Sequence, residues 1–248
     1  MKLLIDVGNT RIKWRINGAS ELFSSPVLSS DFSEWLIRNN AELDAVAISS
    51  VQSRQCNASL IELFEKFELE YWFAKSDSES LGLISAYSNP KNLGVDRWLA
   101  MLALWHRLKT GFMVVDAGTA ITIDLVGNDG KHLGGFILPG LSMQRQALLG
   151  ESLVLKGQVD EVLSPSLSLG VDTDEAIDNG ILASTVALIQ RLIAENDSWL
   201  AHMFFTGGDA QSLKALIPQA QIEEALVMDG LSLAWNREQS ERSVSRAK

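Results

Sequence analysis

The sequence is poor in the residues that form disulfides and metal clusters. Its 248 residues include one cysteine, Cys56, and three histidines that are scattered along the chain. A lone cysteine cannot close an internal disulfide, and neither residue type has the spacing of a metal site. We therefore expect a structural role for Cys56 and a reducing compartment, and we exclude an internal disulfide and a zinc cluster at Cys56.

Long apolar runs and an excess of positive charge are also missing. No apolar run approaches the roughly 20 residues of a membrane span, and the N-terminus reaches Asp6 too soon for a secretory signal. The formal net charge of -10 disfavours broad contact with nucleic acid, whose binders usually carry a basic face. We expect a cytoplasmic protein with no membrane anchor and no nucleic-acid partner.

Two common phosphate-binding signatures are absent from the sequence. The chain contains no Gly-x4-Gly-Lys-Ser/Thr loop, and it lacks the glycine-rich, lysine and HRD elements of protein kinases. If the protein handles a nucleotide, it must use another arrangement of backbone and side chains.

The stretch from Leu3 to Thr10, LLIDVGNT, is a candidate for such an arrangement. An apolar run ends in an acidic residue, a glycine and two small polar residues, which is typical of a buried strand that runs into a tight turn. Gly8 lets the backbone bend and approach a ligand, while the Asp6 carboxylate can hold a cation. Taken alone, the pattern favours a plain hairpin.

The same pattern returns in the second half of the chain. A second apolar run ends at Asp116, and Gly118 stands two positions later, as Gly8 does after Asp6. In both halves two further strands come next, followed by alternating helices and strands. The sequence therefore predicts two similar α/β halves, each with a three-strand meander flanked by helices. We place the first half at residues 1–110, the second at 111–240 and a basic, frayed tail at 241–248.

Two such turns that face a cleft between the halves can hold phosphate. Backbone amides and threonine hydroxyls bind phosphate oxygens, and the aspartates reach the cations that neutralise them. Positioning and charge neutralisation are most of what phosphoryl transfer requires. Two nearby features stay open: Lys13 is either an added cation or a solvated strand residue, and Thr206–Ala210 is either a nucleotide contact or an ordinary strand-to-helix turn.

Asp96 and Arg97 stand at the start of the most apolar predicted helix. Spacing alone favours a structural interpretation, with Asp96 as a helix-start charge and Arg97 as a surface partner. In the functional interpretation, Asp96 accepts a proton from an attacking hydroxyl and Arg97 binds an anionic group of the substrate. Thr173 is likewise either a helix cap or a ligand contact.

Six stretches together resemble the type III pantothenate kinases, which belong to the acetate and sugar kinase, Hsc70 and actin superfamily. They follow the family order and reach beyond residue 209. The stretches are DVGNTRIK at 6–13, Tyr87 with Pro90 and GVDR at 94–97, DAGTAIT at 116–122, GGFILPG at 134–140, DTDEAIDNG at 172–180 and TGGD at 206–209.

The resemblance implies an α/β fold of two duplicated ribonuclease-H-like (actin-like ATPase) domains. It also implies a kinase that uses ATP to phosphorylate the primary hydroxyl of pantothenate, the first step of coenzyme A synthesis. The implied cofactors are Mg²⁺ with ATP and a monovalent cation, K⁺ or NH₄⁺, at Asp116, and the implied assembly is a homodimer with the site at its interface. The residues implied in ATP binding are Asp6, Val7, Gly8, Asn9, Thr10, Arg11, Ile12, Lys13 and Thr119. Those implied in pantothenate binding are Tyr87, Gly94, Val95, Asp96, Arg97 and Thr173, with Asp96 as the proton acceptor and Thr173 serving the neighbouring subunit.

Three other functions are compatible with parts of this pattern. A kinase of the same superfamily acting on a sugar or another small acid would share the two turns. A transcriptional accessory factor is disfavoured by the acidic charge and by the lack of a helix-turn-helix signature. A nucleotide-binding filament protein of the actin kind would need insertions for which this short chain leaves no room.

Overall fold

The structure, a computed structural model, describes residues 1–149 and 166–246, and these divide into two compact units. Unit 1 combines Met1–Arg107 with the chain from Ala225 onward, whereas unit 2 is the continuous segment Leu108–Glu224. The elements of unit 1 are β1 (Lys2–Val7), β2 (Arg11–Ile16), β3 (Phe23–Pro26), α1 (Asp31–Asn39), β4 (Ala45–Ser50), α2 (Arg54–Lys66), β5 (Glu70–Phe73), β6 (Glu79–Ser80), β7 (Leu83–Ile84), α3 (Val95–Leu108) and α7 (Leu226–Arg246). Those of unit 2 are β8 (Phe112–Ala117), β9 (Ala120–Val126), β10 (His132–Pro139), α4 (Leu141–Leu149), α5 (Thr173–Asn196), β11 (His202–Thr206), α6 (Ala210–Leu216) and β12 (Gln221–Ile222).

The two units contain sheets of the same topology. The strand orders are β3-β2-β1-β4-β5 in unit 1 and β10-β9-β8-β11-β12 in unit 2. In each sheet the first three strands form an antiparallel meander, and the next two join in parallel after helical crossovers. The duplication predicted from the two Asp-x-Gly stretches is therefore confirmed, and so is the fold class of two α/β halves, each with a meander flanked by helices.

The sheet of unit 1 is buried on one face by α1 and α2. Leu3, Ile5 and Val7 alternate along β1 and all lie in this core, because successive side chains of a strand point to opposite faces. Phe32 and Leu36 of α1 cover them. Asp6 therefore lies on the other face of the sheet, next to the end of β1.

Helix α7 covers part of that other face. Trp235, 1% exposed, packs edge-on against Trp72 of β5 with ring centroids 5.5 Å apart, and Asp229 pairs with Arg15 of β2 at 2.5 Å. These contacts place α7 in unit 1, whereas the sequence-based division put residues up to 240 in the second half. These contacts join residues more than 150 positions apart, and local sequence patterns carry no information about such pairs.

The helix α7 also continues into the segment predicted as a frayed tail. It runs to Arg246, and its last turns are supported by the i,i+4 ion pairs Arg237–Glu241 and Arg242–Glu238. The tail was predicted because residues 240–248 lack apolar periodicity, and charge pairs do not produce such a period. Residues 247 and 248 lie outside the described part of the chain.

Helix α5 forms the centre of the core of unit 2. Its buried side chains pack on the sheet with residues of α4 and α6; they are Ile181, Leu182, Val186, Ile189 and Leu192. By length and composition α5 is apolar enough to cross a membrane, a test that core helices of globular proteins also pass. Its packing against β8 and β9 accounts for that apolar character.

Two predicted boundaries differ from the structure. The third strand, expected near residues 20–24, is β3 at Phe23–Pro26. The strand expected from Ile222 to Val227 is reduced to the two residues of β12, because α7 already begins at Leu226.

Candidate active site

The β1–β2 turn is a tight, solvent-facing bend. The Gly8 amide donates to the carbonyl oxygen of Arg11 at 2.9 Å, and a Cβ at position 8 would lie 3.2 Å from that oxygen. A side chain at position 8 would therefore be tight against the Arg11 carbonyl, whereas the φ of Gly8 does not itself demand glycine. Asn9, Thr10 and Arg11 are exposed, so this turn presents polar backbone and side chains to solvent.

The predicted ATP-binding residues of this turn divide by orientation. The side chains of Val7 and Ile12 are 1% and 4% exposed and lie in the core of unit 1, so only their backbone groups are available to a ligand. Lys13 is half-buried and lies directly opposite Asp6 in the β1–β2 register, which puts both side chains on the same face of the sheet.

Two residues at or just after the end of β4 form hydrogen bonds to this turn and to Asp6; neither was predicted from the sequence. The hydroxyl of Ser49, which is fully buried, donates to Oδ1 of Asp6 at 2.9 Å. The side-chain amide of Gln52 donates to the carbonyl oxygen of Gly8 at 2.6 Å. The available signal was the polar sequence SSVQ directly after the buried AVAI of β4, because parallel neighbouring strands end at the same edge of a sheet.

The start of α3 brings together Asp96, Arg97 and Tyr87. The Arg97 guanidinium is buried, 6% exposed, and donates to the Tyr87 hydroxyl at 3.2 Å while lying 5.9 Å from the centre of the Tyr87 ring. Asp96 is half-buried in the first turn of α3, and its Oδ1 accepts from the Arg97 amide at 2.8 Å. A surface role for Arg97 is therefore wrong, since burying a cation requires compensating contacts such as that with Tyr87.

Gly94 makes room for the Asp96 carboxylate. A Cβ at position 94 would lie 2.6 Å from Asp96 Oδ1, so a side chain there would force the Asp96 carboxylate to move. Val95 follows as the first residue of α3 and is half-buried. The GVDR stretch thus sets the orientation of the Asp96 and Arg97 side chains.

In unit 2, the turn after β8 is built from closely packed backbone. Asp116 lies opposite Thr206 of β11 in the parallel register and opposite Thr122 of β9. The carbonyl oxygen of Thr119 accepts from the Gly140 amide at 3.0 Å, and the Thr119 side chain is half-buried. The DAGT turn and the start of α4 are therefore fixed to each other.

The Thr206–Ala210 segment packs directly on the DAGT turn. Gly207 has φ +91°, and a Cβ there would lie 2.5 Å from the backbone of Ala117 and from Asp116 Oδ1. The Asp209 amide donates to the Ala117 carbonyl oxygen at 2.9 Å, and burial raises the pKa of the Asp209 carboxyl above its ordinary value of 3.8. This segment thus supports Asp116, whatever its further role.

Thr173 is the first residue of α5, but it does not cap the helix. Asp172 does so, with its Oδ1 accepting from the Glu175 amide at 2.9 Å, while the Glu175 carboxylate accepts from the Val171 amide at 3.1 Å. Thr173 itself is exposed and lines a groove of about 740 Å³ between α4 and α5. The cap interpretation of Thr173 is therefore wrong.

The candidate residues form four groups, two in each unit. In unit 1 they are the β1–β2 turn and the Tyr87–Arg97 group, and in unit 2 they are Asp116 with Thr119 and, separately, Thr173. Within residues 1–149 and 166–246, no three His, Cys, Asp or Glu side chains are arranged to hold a metal ion by themselves. Mg²⁺ that arrives with a nucleotide does not need such a cage, because phosphates and water supply most of its ligands.

Comparison with known proteins identifies the family. The family model described as type III pantothenate kinase matches residues 2–195, which include both Asp-x-Gly turns and the start of α3. The chain belongs to the type III pantothenate kinase family. Curated relatives of that description include a protein of Marinobacter nauticus, 39% identical over 93% of this chain and 96% of its own length. Another, from Cellvibrio japonicus, is 36% identical over 95% of this chain and 97% of its own length.

Solved structures agree with the fold. A protein of Campylobacter jejuni described as a Baf family transcriptional activator is 23% identical, with TM-score 0.60 and coverage of 96% of this chain and 99% of that one. A protein of Listeria monocytogenes described as an N-acetylmannosamine kinase is 14% identical, with TM-score 0.52 and coverage of 96% and 99%. These likenesses show the fold alone, two duplicated ribonuclease-H-like halves.

Membership of the type III pantothenate kinase family confirms the resemblance noted in the sequence. The prediction of a kinase of coenzyme A synthesis, a phosphotransferase that uses ATP with a divalent metal, is confirmed at the level of the family. The assignment of individual residues to ATP, pantothenate and a monovalent cation remains a prediction.

Proposed function

We propose that this chain transfers the γ-phosphoryl group of ATP to the primary hydroxyl of pantothenate, which gives 4′-phosphopantothenate, through the residues assigned from the sequence. The observation that carries the proposal is the match of the pantothenate kinase family to residues 2–195, because it spans the β1–β2 turn, the start of α3 and the DAGT turn. The four functional assignments below rest on the contacts of these residues.

The β1–β2 turn binds the phosphates of ATP. Its exposed residues Asn9, Thr10 and Arg11 offer backbone amides and polar side chains, and short glycine turns of this kind suit anionic oxygens. Asp6, whose carboxylate is oriented by Ser49, is the residue of this turn that would hold Mg²⁺. The metal, when bound with ATP, would neutralise phosphate charge. In unit 2, Thr119 of the DAGT turn is the residue that we assign to ATP.

Asp96 accepts the proton of the attacking hydroxyl. Its carboxylate is held in the first turn of α3 by the Arg97 amide, and Gly94 leaves the space it occupies. As the oxygen of pantothenate attacks the γ-phosphorus, the bond to ADP breaks and the hydroxyl proton passes to Asp96. Arg97, held by Tyr87, binds the pantothenate carboxylate.

Asp116 binds the monovalent cation. Its carboxylate lies among backbone groups, since a Cβ at Gly207 or at Gly118 would come within 2.5 Å or 3.3 Å of Oδ1. A carboxylate surrounded by carbonyl-bearing backbone suits K⁺ or NH₄⁺, which favour oxygen ligands. The cation would offset phosphate charge and would not take part in proton transfer.

The functional unit is a homodimer in the cytoplasm. In unit 2, the exposed face of α5 supports the proposed dimer. Ala176, Gly180 and Ser184 are exposed, recur four residues apart on α5 and line its groove with α4, where their small side chains leave room for a partner's side chains. The edge strand β10 nearby in the fold exposes Phe136 and Ile137, 41% and 64%. Thr173, at the start of the same helix, serves the partner's pantothenate site.

A coupled assay with ATP and pantothenate, run in sodium and then in potassium buffer, tests the proposal. We expect phosphorylation of pantothenate that depends on potassium or ammonium. Turnover that is equal in sodium would refute the cation site, and absence of turnover in every buffer would refute the proposed substrate. Replacing pantothenate by sugars or other small acids separates this activity from that of other kinases of the same fold.

A further inference from the structure

The side chain of Gln52 forms a hydrogen bond to the backbone of the β1–β2 turn, the proposed phosphate-binding turn. Gln52 lies two residues beyond β4, is half-buried, and its side-chain amide donates to the Gly8 carbonyl oxygen at 2.6 Å. The same loop is itself fixed: the Val51 amide donates to the Val7 carbonyl oxygen at 3.2 Å, and the Gln52 amide donates to the Ser50 hydroxyl at 3.2 Å. Gln52 therefore connects a hydrogen-bonded loop to a turn whose tip is exposed.

The hydrogen bond from Gln52 to the Gly8 carbonyl also determines the direction of the Asn9 amide, because the two groups belong to one planar peptide bond. In a trans peptide, the carbonyl of one residue and the amide of the next point in opposite directions. Because the Gly8 carbonyl points toward Gln52, the Asn9 amide points away from it. Asn9 is exposed, so a ligand that approaches the turn from the side away from Gln52 would meet this N–H.

In the equivalent turn of unit 2, backbone groups make the corresponding contacts. Gly207 of the segment after β11 packs against Ala117, and the Asp209 amide donates to the Ala117 carbonyl oxygen at 2.9 Å. In unit 1 the loop after β4 makes the corresponding backbone bond, from Val51 to Val7, and adds the Gln52 amide one residue further along the turn. Gln52 thus reaches a peptide unit that the shared backbone pattern does not hold.

We propose that Gln52 is a positioning residue for nucleotide binding: its side-chain amide fixes the Gly8–Asn9 peptide so that the Asn9 N–H faces the phosphates. This inference rests on the proposed role of the β1–β2 turn in binding ATP. It concerns the affinity for nucleotide and leaves the pantothenate-binding group at Tyr87 and Arg97 unaffected.

The test compares Gln52→Met with a matched control, Gln55→Met. Methionine is close to glutamine in size and cannot donate a hydrogen bond. Gln55 lies three residues further on, in the first turn of α2, and its side chain is exposed. For Gln52→Met we expect KM for ATP and the dissociation constant of ADP, measured by titration calorimetry, to rise about fivefold, the effect of one ordinary hydrogen bond. KM for pantothenate should stay at the wild-type value, the thermal unfolding midpoint should fall by only about 2–4 °C because one hydrogen bond is lost, and Gln55→Met should resemble the wild type throughout.

A second substitution guards against a misfolded variant. Gln52→Glu keeps the shape but places a carboxylate against the Gly8 carbonyl, so we expect a larger rise in the ADP dissociation constant that diminishes at acidic pH as the carboxyl becomes protonated. The inference is overturned if both variants bind ADP like the wild type, or if KM rises equally for ATP and pantothenate. Failure of the proposed function looks different: the wild type would not phosphorylate pantothenate, while the ADP titrations would still report on Gln52.

Discussion

Replacing Gly207 by alanine should damage unit 2 far more than the same change at its neighbour. Gly207 has φ +91°, and its Cβ would lie 2.5 Å from both the Ala117 backbone and Asp116 Oδ1. Gly208 has no such φ, and its Cβ would meet nothing within 4 Å. The two substitutions therefore add the same methyl group to adjacent residues in opposite environments.

Two effects set the magnitude for Gly207→Ala. A left-handed backbone costs a residue with a Cβ about 1–2 kcal/mol, and overpacking against rigid backbone costs about 1–3 kcal/mol. The smaller entropy of the unfolded alanine chain offsets roughly 0.4–1 kcal/mol of this. We expect a net loss of about 1–4.5 kcal/mol in the free energy of unfolding, and for Gly208→Ala a change within about 0.5 kcal/mol of zero or a small gain.

Urea unfolding followed by circular dichroism measures both variants, and the coupled kinase assay adds a second measure. The added methyl group also presses on Asp116, so if this residue holds the cation as proposed, residual folded Gly207→Ala should need more potassium for half-maximal activity. If Gly207→Ala proved as stable as Gly208→Ala, with unchanged potassium dependence, the close packing of the two turns described for unit 2 would be incorrect.

Three further predictions concern carboxylates. Asp96→Asn should lower kcat by about 10²–10⁴-fold while pantothenate still binds, as calorimetry can check; near-normal turnover would exclude Asp96 as the proton acceptor. Ser49→Ala removes the buried donor to Asp6 and should reduce kcat/KM for ATP about tenfold, the typical effect of a hydrogen bond to a charged group; an unchanged value would show that Asp6 needs no such support. Because burial raises the pKa of Asp209, its ionisation opposes folding as the pH rises through that pKa, so Asp209→Asn should be more stable than the wild type at pH 7. That advantage should shrink as the pH falls toward 3.8, and a constant difference would contradict the shift.

The parts of the fold that depend on short-range patterns were predictable from the sequence. Alternating apolar residues and the Asp-x-Gly turns fixed both meanders, and helical spacing located α1, α2 and α3. The two turns were identified as a pair because the same residue types recur after strands of the same kind. Each of these signals lies within about 20 residues of sequence, the range over which periodicity is informative.

Contacts between distant residues were not predictable in this way. The place of α7 in unit 1 depends on Trp235 meeting Trp72 and on Asp229 meeting Arg15, and neither pairing leaves a local trace. The support of Asp6 by Ser49 depends on the parallel register of β1 with β4, which sequence patterning does not specify. Supporting residues of a site are therefore harder to find than the residues they support.

The discontinuity of unit 1 has a consequence for synthesis on the ribosome. The segment of unit 2, Leu108–Glu224, emerges in one piece and can fold as soon as it is complete. The sheet of unit 1 emerges earlier but must wait for α7, because Leu4 and Trp72 lie on the face that this helix covers. The first-made half of the protein is thus the last to be finished, and its uncovered sheet is the surface that a nascent-chain chaperone would protect.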